Sequence, residues 1–170
     1  MDIAELILQQ HDEQRRAFAL LDDVPRDDAA ALAAIWSRLA VLLEVHAEAE
    51  EKFFYPRLLK IGTGGGTADS ASSETEDAIK DHNEIRDAIR EVARHEAGTD
   101  GWWEGVTKAR ESNSDHMAEE EREDLADFRV HADLQTRHDV ALEFITYEAQ
   151  HAAGIQPVDE DPEEYVAKNS

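Results

Sequence analysis

Apolar residues recur at steps of three and four along most of the chain, the period of an α-helix with one face turned to a core. The pattern predicts a first helix over residues 2–21, with Ile3, Ala4, Ile7, His11, Phe18 and Leu21 near one face. Asp22-Asp23-Val24-Pro25 ends it, because proline disfavours helix in the residue before it. A second helix is predicted from a cap at Asp27 or Asp28 through Ile61, with a stripe of Leu32, Ile35, Leu39, Leu42, His46, Glu50 and Phe53. The glycine- and serine-rich stretch 62–73 reads as a linker; it lacks the lysine and the preceding strand of a phosphate-binding loop. A third helix, capped by Ser73 or Thr75 and reaching residue 97, carries Ile79, His82, Ile85 or Arg86, Ile89 and Val92. A fourth spans residues 102–128 through Val106, Ala109, Asn113, His116 and Glu120. A last helix over residues 130–152 carries Leu134, Val140, Leu142, Phe144, Ile145 and Tyr147.

Scarce proline and abundant alanine, leucine, glutamate and arginine agree with an all-α fold. Short connections between long helices favour antiparallel neighbours. The expected architecture is therefore an up-down-up-down four-helix bundle over residues 1–128 with an additional C-terminal helix within 129–154. Residues 155–170, acidic and containing two prolines, are expected to form an irregular tail. Trp102-Trp103 reads as core and rim packing at a helix start.

Charge narrows the classes of function. Seventeen basic against 40 acidic residues give a net charge of −23, which repels nucleic acid and anionic membrane surfaces. With no cysteine in the chain, disulfides, zinc–thiolate sites and iron–sulfur clusters are excluded, and any metal must be held by nitrogen and oxygen. The N-terminal residues show no basic, apolar leader, and no stretch approaches the roughly 18 apolar residues of a membrane span. A cytoplasmic protein, monomer or homodimer, is the expectation.

The polar residues that interrupt the stripes carry the chemistry. His46 and His116 are each followed four residues later by a glutamate, Glu50 and Glu120. A helix turns about 100° per residue, so each pair projects on one face, one turn apart. His11 and His82 sit on two further stripes. Six such groups in positions suited to leucine need a compensating partner, and a pair of cations supplies it. His11 and His46 would hold one ion, His82 and His116 the other, with Glu50 and Glu120 bridging. Imidazole and carboxylate without sulfur suit iron or manganese better than zinc, which prefers four ligands and has no redox role. A ferritin-like site needs two Glu-x-x-His motifs, and this chain has one, Glu148 to His151. His95, His131, His138 and His151 read as solvent-facing.

The segments around His11, His46-Ala-Glu-Ala-Glu50, His82-Asn-Glu-Ile-Arg86 and His116-Met-Ala-Glu-Glu120 resemble the hemerythrin-like, HHE cation-binding family, in family order over residues 1–128. The resemblance implies a non-haem di-iron centre, two iron ions with an oxo or hydroxo bridge. His11, His46, His82 and His116 would be terminal ligands and Glu50 and Glu120 bridging carboxylates. Oxygen-carrying members have a histidine where this chain has Arg86, and a His-x4-Asp ending where it has His-x3-Glu, so reversible oxygen carriage does not follow. Some members place a tyrosine eight residues after the second-helix histidine. Here that position is Phe54, and on a straight helix Tyr55 would point about 100° further round. Arg86 is expected beside a carboxylate or in solvent. Three functions stay open: binding or sensing of O2, NO or peroxide; peroxide decomposition or ferroxidase activity at the same centre; and a metal-free acidic interaction domain.

Overall fold

The structure is a computed structural model that describes residues 1–66 and 70–170, so part of the glycine-rich loop, residues 67–69, lies outside the described residues. No strand occurs among them, and the chain is all-helical. The helices are α1 (Ile3–Asp23), α2 (Ala29–Ala49), α3 (Tyr55–Ile61), α4 (Ala71–Val92), α5 (Asp100–Arg122), α6 (Asp124–His131), α7 (Leu134–Gln150) and α8 (Pro162–Asn169). A π-helical turn, Glu50–Phe54, joins α2 to α3.

Side-chain caps set most helix starts. Asp2, Asp28, Ser70, Thr99, Asp133 and Asp161 each accept a hydrogen bond from a backbone N–H of the first turn. Several boundaries differ from the sequence reading. The third predicted helix ends at Val92 rather than residue 97, and Gly98 takes φ +86° in the turn that follows. The fourth breaks at Glu123, where φ −112° and ψ −73° redirect the chain into α6. The break lets Leu125 and Phe128 pack into the core. The tail expected to be irregular contains α8, which packs on α3 and α4.

The buried apolar residues form two clusters. One gathers Phe18, Leu21, Leu32, Trp36, Leu39, Ile89 and Trp102, with Trp103 at its rim. The other gathers Ile3, Ile7, Phe54, Leu58, Ile79, Phe128 and Phe144. Each of α1, α2, α4 and α5 contributes polar side chains to a layer between the clusters: His11 and Gln14, His46, His82 and Arg86, and Asn113, His116 and Glu120. The face of α2 is rotated slightly from the expected one, since Trp36, Leu43 and Phe54 are buried where Ile35, Leu42 and Phe53 are only partly so. On α7, Val140, Ala141 and Phe144 are buried, whereas Leu134 and Leu142 are exposed. The stretch Ala29–Ile61 has a window of mean hydropathy 1.4, long and apolar enough to cross a membrane by length and composition. This corrects the expectation that no stretch comes near a span.

Candidate metal centre

The polar layer brings the six residues singled out by spacing close together, and all six are at least 97 % buried. The rings of His11 and His46 lie 5.3 Å apart, and those of His82 and His116 lie 4.6 Å apart. Ligand atoms of His11, His46 and Glu50 fall within 4.8 Å of one another, and so do those of Glu50, His82 and His116. Glu50 is common to both groups: Oε1 lies 2.8 Å from His46 Nε2, and Oε2 lies 3.2 Å from His82 Nε2. Glu120 stands at the edge of the pair. One of its oxygens is 3.2 Å from His11 Nε2, and the other accepts a 2.9 Å hydrogen bond from the Tyr55 hydroxyl.

The four imidazoles share one orientation. Each Nδ1 faces an outer acceptor: Glu121 at 2.9 Å for His11, Gln10 at 2.6 Å for His46, Glu51 at 2.9 Å for His82, and Asp81 at 3.7 Å for His116. Each Nε2 points inward, those of His82 and His116 meeting at 3.1 Å. An acceptor on one ring nitrogen fixes the tautomer and leaves the other nitrogen free to bind a metal. Five of the inward atoms are among the buried atoms without a hydrogen-bond partner: His11 Nε2, His46 Nε2, both oxygens of Glu50 and Glu120 Oε2. They approach one another as close ion-pair contacts of 2.8 to 3.2 Å. Buried polar atoms left this way cost about 1–3 kcal/mol each unless something binds them. Inward nitrogen and oxygen donors in two groups sharing a carboxylate fit a pair of cations.

Electrostatics point the same way. Burial disfavours charge on His11 and His82, but Glu120 and Glu121 beside the first, and Glu50 and Glu51 beside the second, outweigh it and raise both to about 9. Burial acts upward on Glu50, yet His46 and His82 hold its carboxyl well below the usual carboxylate range. The centre is thus built to hold positive charge among its carboxylates.

Several outer residues were not foreseen. Tyr55 was expected to point away, yet it is fully buried with its hydroxyl on Glu120. The π-turn explains the difference, because its wider helical turn changes the angular position of everything after Glu50. Pro56 was the signal: in a straight helix its ring collides with the carbonyl of Lys52. Burial and the charges of Glu120 and Glu50 push the Tyr55 phenol well above its ordinary value, so it keeps its proton and donates a hydrogen bond to Glu120. Glu51 binds both His82 and Arg86; the guanidinium reaches its two oxygens at 2.8 and 2.9 Å. Arg86 is therefore buried against a carboxylate, not in solvent. Asp124, one turn beyond Glu120, is buried, and burial with the charges of Glu120, Glu74 and Glu50 pushes its carboxyl well above the usual range. From α7, Glu148 accepts a 2.7 Å hydrogen bond from Gln10, and Phe144 packs edge-on against His46 at 5.7 Å. His95, His131, His138 and His151 are exposed or half-buried and take no part in the centre.

Comparison with curated proteins and with solved structures returns no match. A family profile, the hemerythrin HHE cation-binding domain, matches residues 2–128, three-quarters of the chain and every residue of the polar layer. The chain belongs to the hemerythrin HHE cation-binding family.

Proposed function

We propose that this protein holds two iron ions between its apolar clusters and uses them to bind or sense a small ligand, O2, NO or peroxide. The reading assigns His11 and His46 to one ion and His82 and His116 to the other, with Glu50 shared and Glu120 completing the pair. It takes α1, α2 with α3, α4 and α5 as an up-down-up-down bundle, with α7 as the additional helix. One observation carries it: two three-residue donor groups, wholly buried, meet at the single carboxylate of Glu50.

The donor set favours iron over zinc, since it offers imidazole and carboxylate only and shares oxygen between two ions. Two ferrous ions would supply the electrons for binding or reducing a small oxidant. The chain's own residues do the rest. Hydrogen bonds to Glu121, Gln10 and Glu51 hold three of the imidazoles in orientation, and the Asp81 carboxylate faces the fourth at 3.7 Å. Phe144 and the two apolar clusters exclude bulk water. A cavity of about 20 Å³ beside His116, Glu120 and Asp124 is large enough for one water-sized ligand. The acidic surface suits a cytoplasmic protein that binds neither nucleic acid nor membrane.

The test is to load the protein anaerobically with ferrous iron and expose it separately to O2, NO and peroxide. A change in the iron absorption spectrum is expected with at least one of them, and none with Glu50→Ala. Identical spectra for the two proteins under all three ligands would overturn the reading.

A further inference from the structure

The π-turn between α2 and α3 carries three side chains of the centre's surroundings: Glu50 and Glu51 at its start and Tyr55 just after its end. Its backbone leaves a gap. In the wide register the Tyr55 N–H donates to the carbonyl of Glu50. The Glu51 carbonyl has thereby lost its usual α-helical donor, which is that same Tyr55 N–H. Its donor in the π register would be residue 56, but that residue is Pro56 and has no N–H. A buried carbonyl without a partner is costly, so the wide turn needs a donor from elsewhere.

The donor comes from the far end of the chain. The Tyr165 hydroxyl, on α8 and buried, donates to the Glu51 carbonyl. Independent contacts seat α8 and the strand of chain before it. Asn83 donates to the carbonyl of Glu160 at 2.8 Å, and Arg90 grips the Asp159 carboxylate at 2.7 and 2.9 Å. Asp161 caps α8, and Pro162 opens it.

We propose that Tyr165 sets the register of the π-turn: its hydroxyl replaces the N–H that Pro56 lacks, and α8 thereby holds Glu50, Glu51 and Tyr55 in place around the centre. Tyr165 is a positioning residue, acting through the backbone of Glu51. Without its hydroxyl, the Glu51 carbonyl regains a donor only by taking the Tyr55 N–H. That returns the Tyr55 N–H to the α register, in a turn kinked at Pro56 because its ring cannot sit against the Lys52 carbonyl, and swings Tyr55 away from Glu120. The inference of a register lock stands on the backbone alone; its effect on iron rests on the function proposed above.

Tyr165→Phe in the full chain keeps the ring and removes only the hydroxyl. In the metal-free protein, through-hydrogen-bond NMR coupling is expected between Tyr55 nitrogen and the Glu50 carbonyl carbon, moving to the Glu51 carbonyl carbon in Tyr165→Phe. In the iron-loaded protein, release of iron to a chelator is expected to quicken about tenfold, the equivalent of one lost buried hydrogen bond. Pro56→Ala restores a backbone N–H at residue 56 and gives Glu51 a donor in either register. Adding Tyr165→Phe to that background is expected to leave iron release unchanged, whereas lost packing would cost the same in both backgrounds. A coupling that stays on Glu50 in Tyr165→Phe would overturn the register lock. An equal effect of Tyr165→Phe in the wild-type and Pro56→Ala backgrounds would overturn it too. If wild-type protein takes up no iron, the proposed function fails, and the coupling still decides the register.

Discussion

At the scale of single residues, the centre is a set of costly groups, each made tolerable by a neighbour. Arg86 shows this best. It is fully buried, and its guanidinium meets both oxygens of Glu51, which in turn orients His82. Breaking such a pair strands a buried charge, so Arg86→Met is expected to destabilise the metal-free protein by about 3–5 kcal/mol in chemical denaturation. An effect below about 1 kcal/mol, the range of a surface pair, would refute the pairing. Glu74 is a different case. Burial, with Asp127 and Glu123 nearby, raises its carboxyl to about 7 despite a hydrogen bond from Gly65 N–H. A raised carboxyl binds its proton more tightly in the folded state. Its contribution is therefore complete below about pH 4.5 and is lost as pH rises through 7. Glu74→Gln is expected to gain about 1–3 kcal/mol over wild type between pH 5 and 8.5, followed by denaturation at each pH. A constant difference across that range would count against it.

At the scale of elements, spacing makes most of the buried polar layer legible, and irregular backbone hides the rest. His11, His46, His82, His116, Glu50 and Glu120 lie on regular helix or at its edge, where steps of three and four report the buried face directly. Tyr55 is not legible from spacing because the π-turn breaks the straight-helix angle between it and His46. Helix α8 escaped because its acidic composition outweighed the Asp161-Pro162 start signal. The break at Glu123 has neither glycine nor proline to announce it, and follows from the packing of Leu125 and Phe128. Packing between α4 and α5 depends on Gly105, where an added Cβ would lie 2.7 Å from Val92 Cγ2 and 3.2 Å from its backbone nitrogen. Gly105→Ala must push the two helices apart. A loss of about 1–3 kcal/mol is expected in thermal unfolding; an unchanged or higher melting temperature would show that the contact yields freely.

At the scale of the whole molecule, two apolar clusters enclose a polar layer, and that layer makes sense only with positive charge inside it. In the metal-free protein the carboxylates around His11 and His82 favour the protonated form of those two imidazoles; in the proposed holoprotein iron supplies the positive charge. A net charge of −23 leaves the rest of the surface strongly acidic, so the centre stands out as an inward, neutralised site in an anionic shell. The most direct test of a shared two-ion centre is the iron content per chain after anaerobic ferrous loading and removal of loosely bound metal. About two iron atoms per chain are expected for the wild type, falling to one or none in Glu50→Ala, because both donor groups share that carboxylate. One iron or fewer in the wild type, or an undiminished two in Glu50→Ala, would contradict it.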